Sequence, residues 1–351
     1  MKVSADRKDA HVELALAQSG FAQQRSQFDD VRFVHHALAG IDRGEVWLDA
    51  HLASWDWPTP LYINAMTGGS EMTGLINREL AIAARETGLA MAVGSMSRYF
   101  KDPDTADTFT VVRRENPDGF VMANINATAS PEQALRAVDL LRADALQIHL
   151  NSMQETIMPE GDRSFGSWKA NIERIAKASE VPVIVKEVGF GLSRPSIETL
   201  DTLGVSMADV SGTGGTNFAR IENGRREHRD LTYLEGWGQS TPACLLEAHG
   251  CALPLLASGG IRNPLDVLRC LALGARAVGV SGGFLAAVRK GGATCLTEKI
   301  ESWLDQIAAL MTALGARTPA DLADCDLLIT GGLREYCDGR GINLTAPFTR
   351  R

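Results

Sequence analysis

The chain lacks most of the signals that would send it to a membrane, a nucleic acid or an oxidising compartment. No apolar run approaches the ~20 residues that a spanning helix requires. The opening MKVSADRKDAHVELAL is too polar for a secretory signal, so a cytoplasmic protein is expected. No basic block stands out. A net charge of −8 and a pI near 5.5 make nucleic acid a poor partner. The six cysteines (Cys244, Cys251, Cys270, Cys295, Cys325, Cys337) form no CxxC and sit mostly in apolar or helical text, which fits reduced structural thiols. No dinucleotide fingerprint follows the first strand. Gly212-Thr213-Gly214-Gly215 has the wrong spacing and no obvious helix behind it.

What is present is a repeat of short apolar strands and helices. Strands are expected at 61–66, 89–93, 120–124, 145–149, 181–186, 207–210, 255–257 and 277–280. Short all-apolar strands that alternate with helices imply a parallel sheet buried on both faces. Eight such units fit a closed (β/α)8 barrel, an α/β TIM barrel, better than a doubly wound sheet. Residues 1–58 do not carry this rhythm and read as an N-terminal extension; 59–351 read as the barrel with a helical tail. Within the extension, 28–40 reads as a connection with some strand character, and Trp55 and Trp57 as packing.

The stretch 253–285, LPLLASGGIRNPLDVLRCLALGARAVGVSGGFL, is the most informative. Two strands each close on Ser-Gly-Gly, at Ser258-Gly259-Gly260 and Ser281-Gly282-Gly283. Asn263-Pro264 starts a helix between them. Bare backbone N–H groups at a helix N-terminus attract anions, and the loops after strands seven and eight are the usual phosphate grip of this barrel.

The remaining strand ends offer Met66-Thr67, Ser95, Asn124, His149, Asn151, Lys186 and Ser211. A buried Lys186 needs an anionic partner. A reduced flavin would supply one; a Schiff-base lysine is the rival reading. Alternation sends His149 and Asn151 to one side, with Gln154 and Glu155 on the loop 150–163 above. One carboxylate beside neutral oxygen donors suits Mg²⁺ completed by a diphosphate. Near the N-terminus, Lys8 and His11 share a face of a helix expected over 9–18, with Arg7 adjacent.

These motifs accumulate into a resemblance. Arg7-Lys8 with His11, FDDVRFVHHAL, INAMTGG, GSMS, ALQIHLNSMQE, PVIVKEVGFG, SGTGGTNF, ASGGIR and SGGFL occur in the order seen in the type 2, FMN-dependent isopentenyl-diphosphate isomerases, which the chain resembles over essentially its full length. The resemblance implies interconversion of isopentenyl and dimethylallyl diphosphate by proton transfer involving reduced FMN. It further implies Mg²⁺, NAD(P)H as reductant of the flavin, and a homo-oligomer, a tetramer or octamer. Carried over by position, FMN would contact Ala65, Met66, Thr67, Ser95, Asn124, Lys186, Ser211, Thr216, Gly259, Gly260, Arg262, Ser281 and Gly282. Substrate would contact Arg7, Lys8, His11, Arg98, Asn151 and Gln154. Gln154 and His149 would be catalytic, and Glu155 would hold the metal. Some members carry arginine directly after Gly-Ser-x; here Ser97 stands there and Arg98 follows, which leaves that arginine's role open. An FMN-dependent 2-hydroxyacid or nucleotide dehydrogenase of the same fold is the alternative. Its His–Arg pair near strand seven, or its loop cysteine, is not evident.

Overall fold

The computed structural model describes residues 2–19 and 26–344; the side chains of 2–7 and 19 lie outside that description. Helix α1 (Lys2–Ser19) comes first, then β1 (Val31–Phe33) and a hairpin of β2 (Ala50–Leu52) and β3 (Trp55–Trp57). The barrel strands follow as β4 (Leu61–Ile63), β5 (Ala90–Ala92), β6 (Val121–Asn126), β7 (Ala145–His149), β8 (Val183–Lys186), β9 (Met207–Asp209), β10 (Leu255–Ser258) and β11 (Ala277–Val280). They pair in parallel and in chain order, and β11 closes on β4. The chain is a closed (β/α)8 barrel with an N-terminal extension. β12 (Leu327–Ile329) pairs antiparallel with β1, so the extension and the tail meet beside the barrel.

The helices begin where their caps predict. α2 (Glu71–Thr87) starts at Ser70, whose hydroxyl accepts the Thr73 N–H, and stops at left-handed Gly88. Ser130 caps Pro131–Leu141, and Asn263 caps Pro264–Ala272. Two expectations need correction. The loop 150–163 contains a short helix, Ser152–Ile157, so Gln154 and Glu155 sit on a helix. The Gly-Thr-Gly-Gly turn does have a helix behind it, Phe218–Arg225, capped by Asn217. It is short, and its few apolar residues lie in a charged run. The tail helix begins at Gly282 and is broken at Gly291 and Gly292, where Glu79 of α2 accepts the Ala293 N–H at 2.8 Å and restarts it.

Strand alternation fills the lumen in two layers. The lower layer is apolar: Tyr62, Ala92, Met122, Ala145, Ile184, Met207, Leu256 and Ala277 form one buried cluster. The hairpin plugs it from below, with Trp57 packed 5.4 Å from Tyr62 and 5.3 Å from Phe120. Two residues further along the strands the layer is polar: Asn64, Asn124, Gln147, Lys186, Asp209 and Ser258 are all buried. Gly94, after β5, and Gly279, on β11, complete that ring without side chains, Gly279 beside Tyr62. A Cβ on Gly279 would lie 2.4 Å from Cζ of Tyr62, whose hydroxyl donates to Asp209 at 2.7 Å. The barrel floor is thus apolar below and a hydrogen-bonded polar platform above.

Candidate active site

Above that platform, at the C-terminal ends of the strands, lies a cavity of about 1590 Å³. Lys8, His11, Ala65, Met66, Thr67, Ser95, Arg98, Asn124, His149, Asn151, Gln154, Glu155, Lys186, Ser211, Thr216, Gly259, Gly260, Arg262, Ser281 and Gly282 all line it. The Arg7 side chain lies outside the described residues. α1 lies over the mouth. Asp9 accepts the Ser70 hydroxyl at 2.5 Å, Gln18 bonds both the N–H and the carbonyl of Asn217, and Val12 is buried.

The glycines divide into two jobs. Gly259 and Gly260 are left-handed (φ 94° and 75°), and a Cβ on Gly259 would lie 2.1 Å from the Gly212 carbonyl. They let the turn after β10 pack on the turn after β9. Gly282 and Gly283 meet no atom closer than 3.5 Å from a built Cβ, and Ser281 gives their helix no side-chain cap. The first N–H groups of that helix therefore face the cavity uncapped, which suits a phosphate. Arg262 is more committed than its motif suggested. Its guanidinium donates to both oxygens of Asp29 (3.1 and 2.7 Å) and to Asp266 (2.8 Å), tying the extension to the phosphate turn.

Across the mouth, the segment after β7 and the helix Phe218–Arg225 supply the polar groups. Gln154 donates to Glu222 at 2.8 Å, and Asn151 donates to Glu155 at 3.0 Å. The other Glu155 oxygen accepts the Asp162 N–H at 2.8 Å. Glu222 is fully buried and also contacts Arg225; His11 Nε2 lies 3.1 Å away, edge-on to Phe218. Burial alone would raise the Glu222 carboxyl. The His11 imidazole, then Gln154 and Arg225, outweigh it and hold Glu222 below the usual carboxylate range. Arg98 ion-pairs with Asp102 at 2.7 Å, and its buried Nε finds no partner among the described residues at the cavity wall.

His149 and Lys186 are register partners on β7 and β8. Burial, then the charges of Lys186 and Lys8, push the imidazole down to about 3, so it is neutral. Lys186 forms one hydrogen bond among the described residues, to the Glu187 carbonyl at 2.6 Å. Burial lowers its pKa, against the opposing charges of Asp209 and Glu187. Glu187 Oε2 gathers the N–H groups of Val188, Gly189 and Phe190 at 2.5–2.8 Å, and burial pushes its carboxyl to about 7 against those bonds. Asp209 accepts from Tyr62, Asn64, Ser258 and the N–H of Ser211, which has a left-handed φ of 39°. Sequence reasoning missed Asp209 and Glu222, and gave Gln147, within the ALQIHLNSMQE motif, no role of its own. Counting back two residues from His149, and in from the strand end at Ser211, would have found Gln147 and Asp209. Glu222 was hidden in a charged run.

The donor set fits a flavin mononucleotide. An uncapped helix start can take the phosphate, amides and hydroxyls can take the ring edge, and a buried ammonium is left with one neutral acceptor. Glu155 fits Mg²⁺ only in the manner of a single carboxylate completed by ligand phosphate; no cluster of three ligating side chains occurs among the described residues.

Comparison with known proteins gives the same picture. Residues 104–328 match the FMN-dependent dehydrogenase family. The chain is 65% identical over 348 residues to an isopentenyl-diphosphate delta-isomerase of Kitasatospora griseola, covering 99% of this chain and 95% of that one. It is 47% identical over 340 residues to the enzyme of that name from a Staphylococcus epidermidis strain, covering 96% and 97%. Among solved structures, a mandelate oxidase variant with 2-hydroxy-phenylacetamide superposes with a TM-score of 0.63 at 14% identity, covering 93% of this chain and 98% of that one. A variant of a chimeric (S)-mandelate dehydrogenase gives 0.64 at 16%, covering 90% and 96%. At such identities these two speak for the fold alone.

Proposed function

The chain belongs to the isopentenyl-diphosphate delta-isomerases, within the FMN-dependent dehydrogenase family, and from that premise we propose how its own residues divide the work. The activity is isomerisation of isopentenyl and dimethylallyl diphosphate with FMN as cofactor. The dehydrogenase alternative falls away because relatives at 47–65% identity are isomerases, while the oxidase likeness stops at the fold.

The reading of the site rests on one observation: the glycine-opened helix start and the Gln154–Glu155 pair share one cavity, with Glu222 buried behind Gln154. Reduced FMN, when bound, supplies an electron-rich ring able to exchange a proton with the alkene. The chain does the rest. Gly282 and Ser281 receive the FMN phosphate with the turn at Gly259 and Gly260; Arg262 braces that turn. Ala65, Met66, Thr67, Ser95, Asn124, Ser211 and Thr216 border the ring. Lys186 offsets negative charge on it. Arg7, Lys8, His11, Arg98 and Asn151 hold the diphosphate, with Mg²⁺ on Glu155. Gln154, backed by Glu222, and neutral His149 flank the five-carbon unit and orient the proton transfer. Residues 1–58 act as a substrate-covering extension over a barrel at 59–351, in a cytoplasmic tetramer or octamer reduced by NAD(P)H. No helix among the described residues is long and apolar enough to cross a membrane.

The test is direct. Purified protein loaded with FMN and reduced anaerobically should isomerise isopentenyl diphosphate in the presence of Mg²⁺ and incorporate solvent deuterium into the allylic product. A preparation that binds no FMN, or that isomerises equally well without it, would defeat the reading.

A further inference from the structure

We propose that Asp209 is a positioning residue that fixes the tautomer of His149 through a one-way chain of three buried amides. His149 Nδ1 lies 2.7 Å from Asn124 Oδ1, Asn124 Nδ2 donates to Gln147 Oε1 at 3.1 Å, Gln147 Nε2 reaches Asn64 Oδ1 at 3.5 Å, and Asn64 Nδ2 donates to Asp209 at 2.9 Å. The Gln147–Asn64 link is the longest of the four.

The direction of the chain is set at its far end. An amide can face either way, but Asn64 sits between two groups that cannot switch. The Asp209 carboxylate only accepts, and it already takes hydroxyls from Tyr62 and Ser258 and the Ser211 N–H. The Ala65 N–H only donates, and it meets Asn64 Oδ1 at 2.8 Å. Asn64 must therefore turn its nitrogen to Asp209 and its oxygen to Ala65. That oxygen also faces Gln147, so Gln147 must present Nε2 to it and Oε1 to Asn124. Asn124 must then present Nδ2 to Gln147 and Oδ1 to His149. Only a protonated Nδ1 can meet that oxygen. The neutral imidazole thus carries its proton inward and offers the Nε2 lone pair to the cavity it lines.

The chain deserves this reading because each member is buried: Asn64, Asn124, Gln147 and Asp209 are all 2% exposed or less. Buried amides with one satisfied orientation are costly to flip, because a flip sets donor against donor or acceptor against acceptor. The same carboxylate lies next to Lys186 in register, so one buried charge serves both the cation and the imidazole.

The role rests on His149 being a substrate-facing group, but the tautomer is measured without turnover. Neutron diffraction from FMN-loaded crystals grown in deuterated buffer should place deuterium on His149 Nδ1 and none on Nε2. In Gln147→Met, which cuts the chain with a side chain of similar length, deuterium should appear at Nε2, with bound FMN retained and kcat lowered at least ~tenfold at little change in KM. Asp209→Asn keeps an acceptor for Asn64 Nδ2 and leaves the Ala65 N–H in place, so it should keep deuterium on Nδ1; Gln147→Met is the deciding variant. Deuterium on Nε2 of the unmodified protein, or Nδ1–D unchanged in Gln147→Met, would overturn the proposal. Failure of the isomerase assay with the tautomer as expected would instead count against the site reading.

Discussion

Gly279→Ala is a single-methyl test of the polar platform. The added Cβ would lie 2.4 Å from Cζ and 2.7 Å from the hydroxyl oxygen of Tyr62. The ring cannot simply swing away, because it is fully buried and packed on Trp57. Overpacking of this kind costs about 1–3 kcal/mol. If the ring tilts enough to lose Asp209, a buried hydroxyl goes unpaired at a further ~1–3 kcal/mol. Against this, replacing a strand glycine gains about 0.5–1 kcal/mol. With both costs incurred, the net loss should be about 1–5.5 kcal/mol, centred near 3. Urea denaturation at fixed FMN concentration measures it, with the slope unchanged if only stability moves. In a Tyr62→Leu background, which removes the obstructing ring, the cost should fall below ~1 kcal/mol. An equal cost in both backgrounds, or a cost below ~1 kcal/mol in the first, would refute the packing argument.

Gln154→Ala and Glu155→Ala should each cut turnover by roughly 10²-fold or more with bound FMN retained, and Glu155→Ala should also raise the Mg²⁺ concentration needed; loss of flavin from either would count against the assignment. Lys186→Ala should weaken FMN binding or change the spectrum of the reduced flavin, and an unchanged spectrum with unchanged activity would remove it from that role. His149 sits at about 3 in the fold and near 6.5 unfolded, so it adds no pH dependence above pH 6.5 and costs stability as pH falls below it. Between pH 7 and 5 that loss is about 2 kcal/mol, and His149→Gln should abolish it. Glu187, raised to about 7, has the opposite sign: its contribution is present below pH 4.5 and fades as pH rises towards 7. Glu187→Gln should therefore steepen the acid loss seen by denaturation at stepped pH; an unaltered profile would mean its backbone N–H groups keep it ionised.

The barrel was legible because its strands are short, apolar and punctuated. β7 and β11 fall on the expected residues, and Ser70, Ser130 and Asn263 cap helices as their side chains dictate. Pairing of β1 with β12 joins residues almost 300 apart, and nothing local in either three-residue strand announces it. The helix Phe218–Arg225 was missed because it buries Ala219 and Ile221 while showing mostly charge. In the site, residues at strand ends could be read directly. Asp209 and Gln147 were passed over because their importance comes from what they touch across the lumen, on strands up to 147 residues away in sequence.

The order of strands around the barrel keeps the two proposed anion sites apart. The ring runs β10, β11, β4, β5, β6, β7, β8, β9, so β7 stands four strands from β11, on the opposite side. The uncapped helix start belongs to β11, while His149, Gln154 and Glu155 follow β7. A resident phosphate is best served by neutral backbone N–H groups, which are rigid and need no counter-ion. A diphosphate that must leave after each turnover is better met by groups that can withdraw. Lys8 and His11 ride on α1, which is held largely by polar contacts such as Asp9–Ser70, Gln18–Asn217 and Glu13–Arg289, with Val12 its fully buried apolar anchor among the described residues. Contacts of that kind exchange readily with water. Removing that anchor should therefore loosen the cover without disturbing the cofactor. Val12→Ala should raise KM for isopentenyl diphosphate several-fold and leave FMN content unchanged, as read from steady-state kinetics and the flavin absorbance. Loss of FMN in step with KM would show that the cover and the phosphate grip are one cooperative unit.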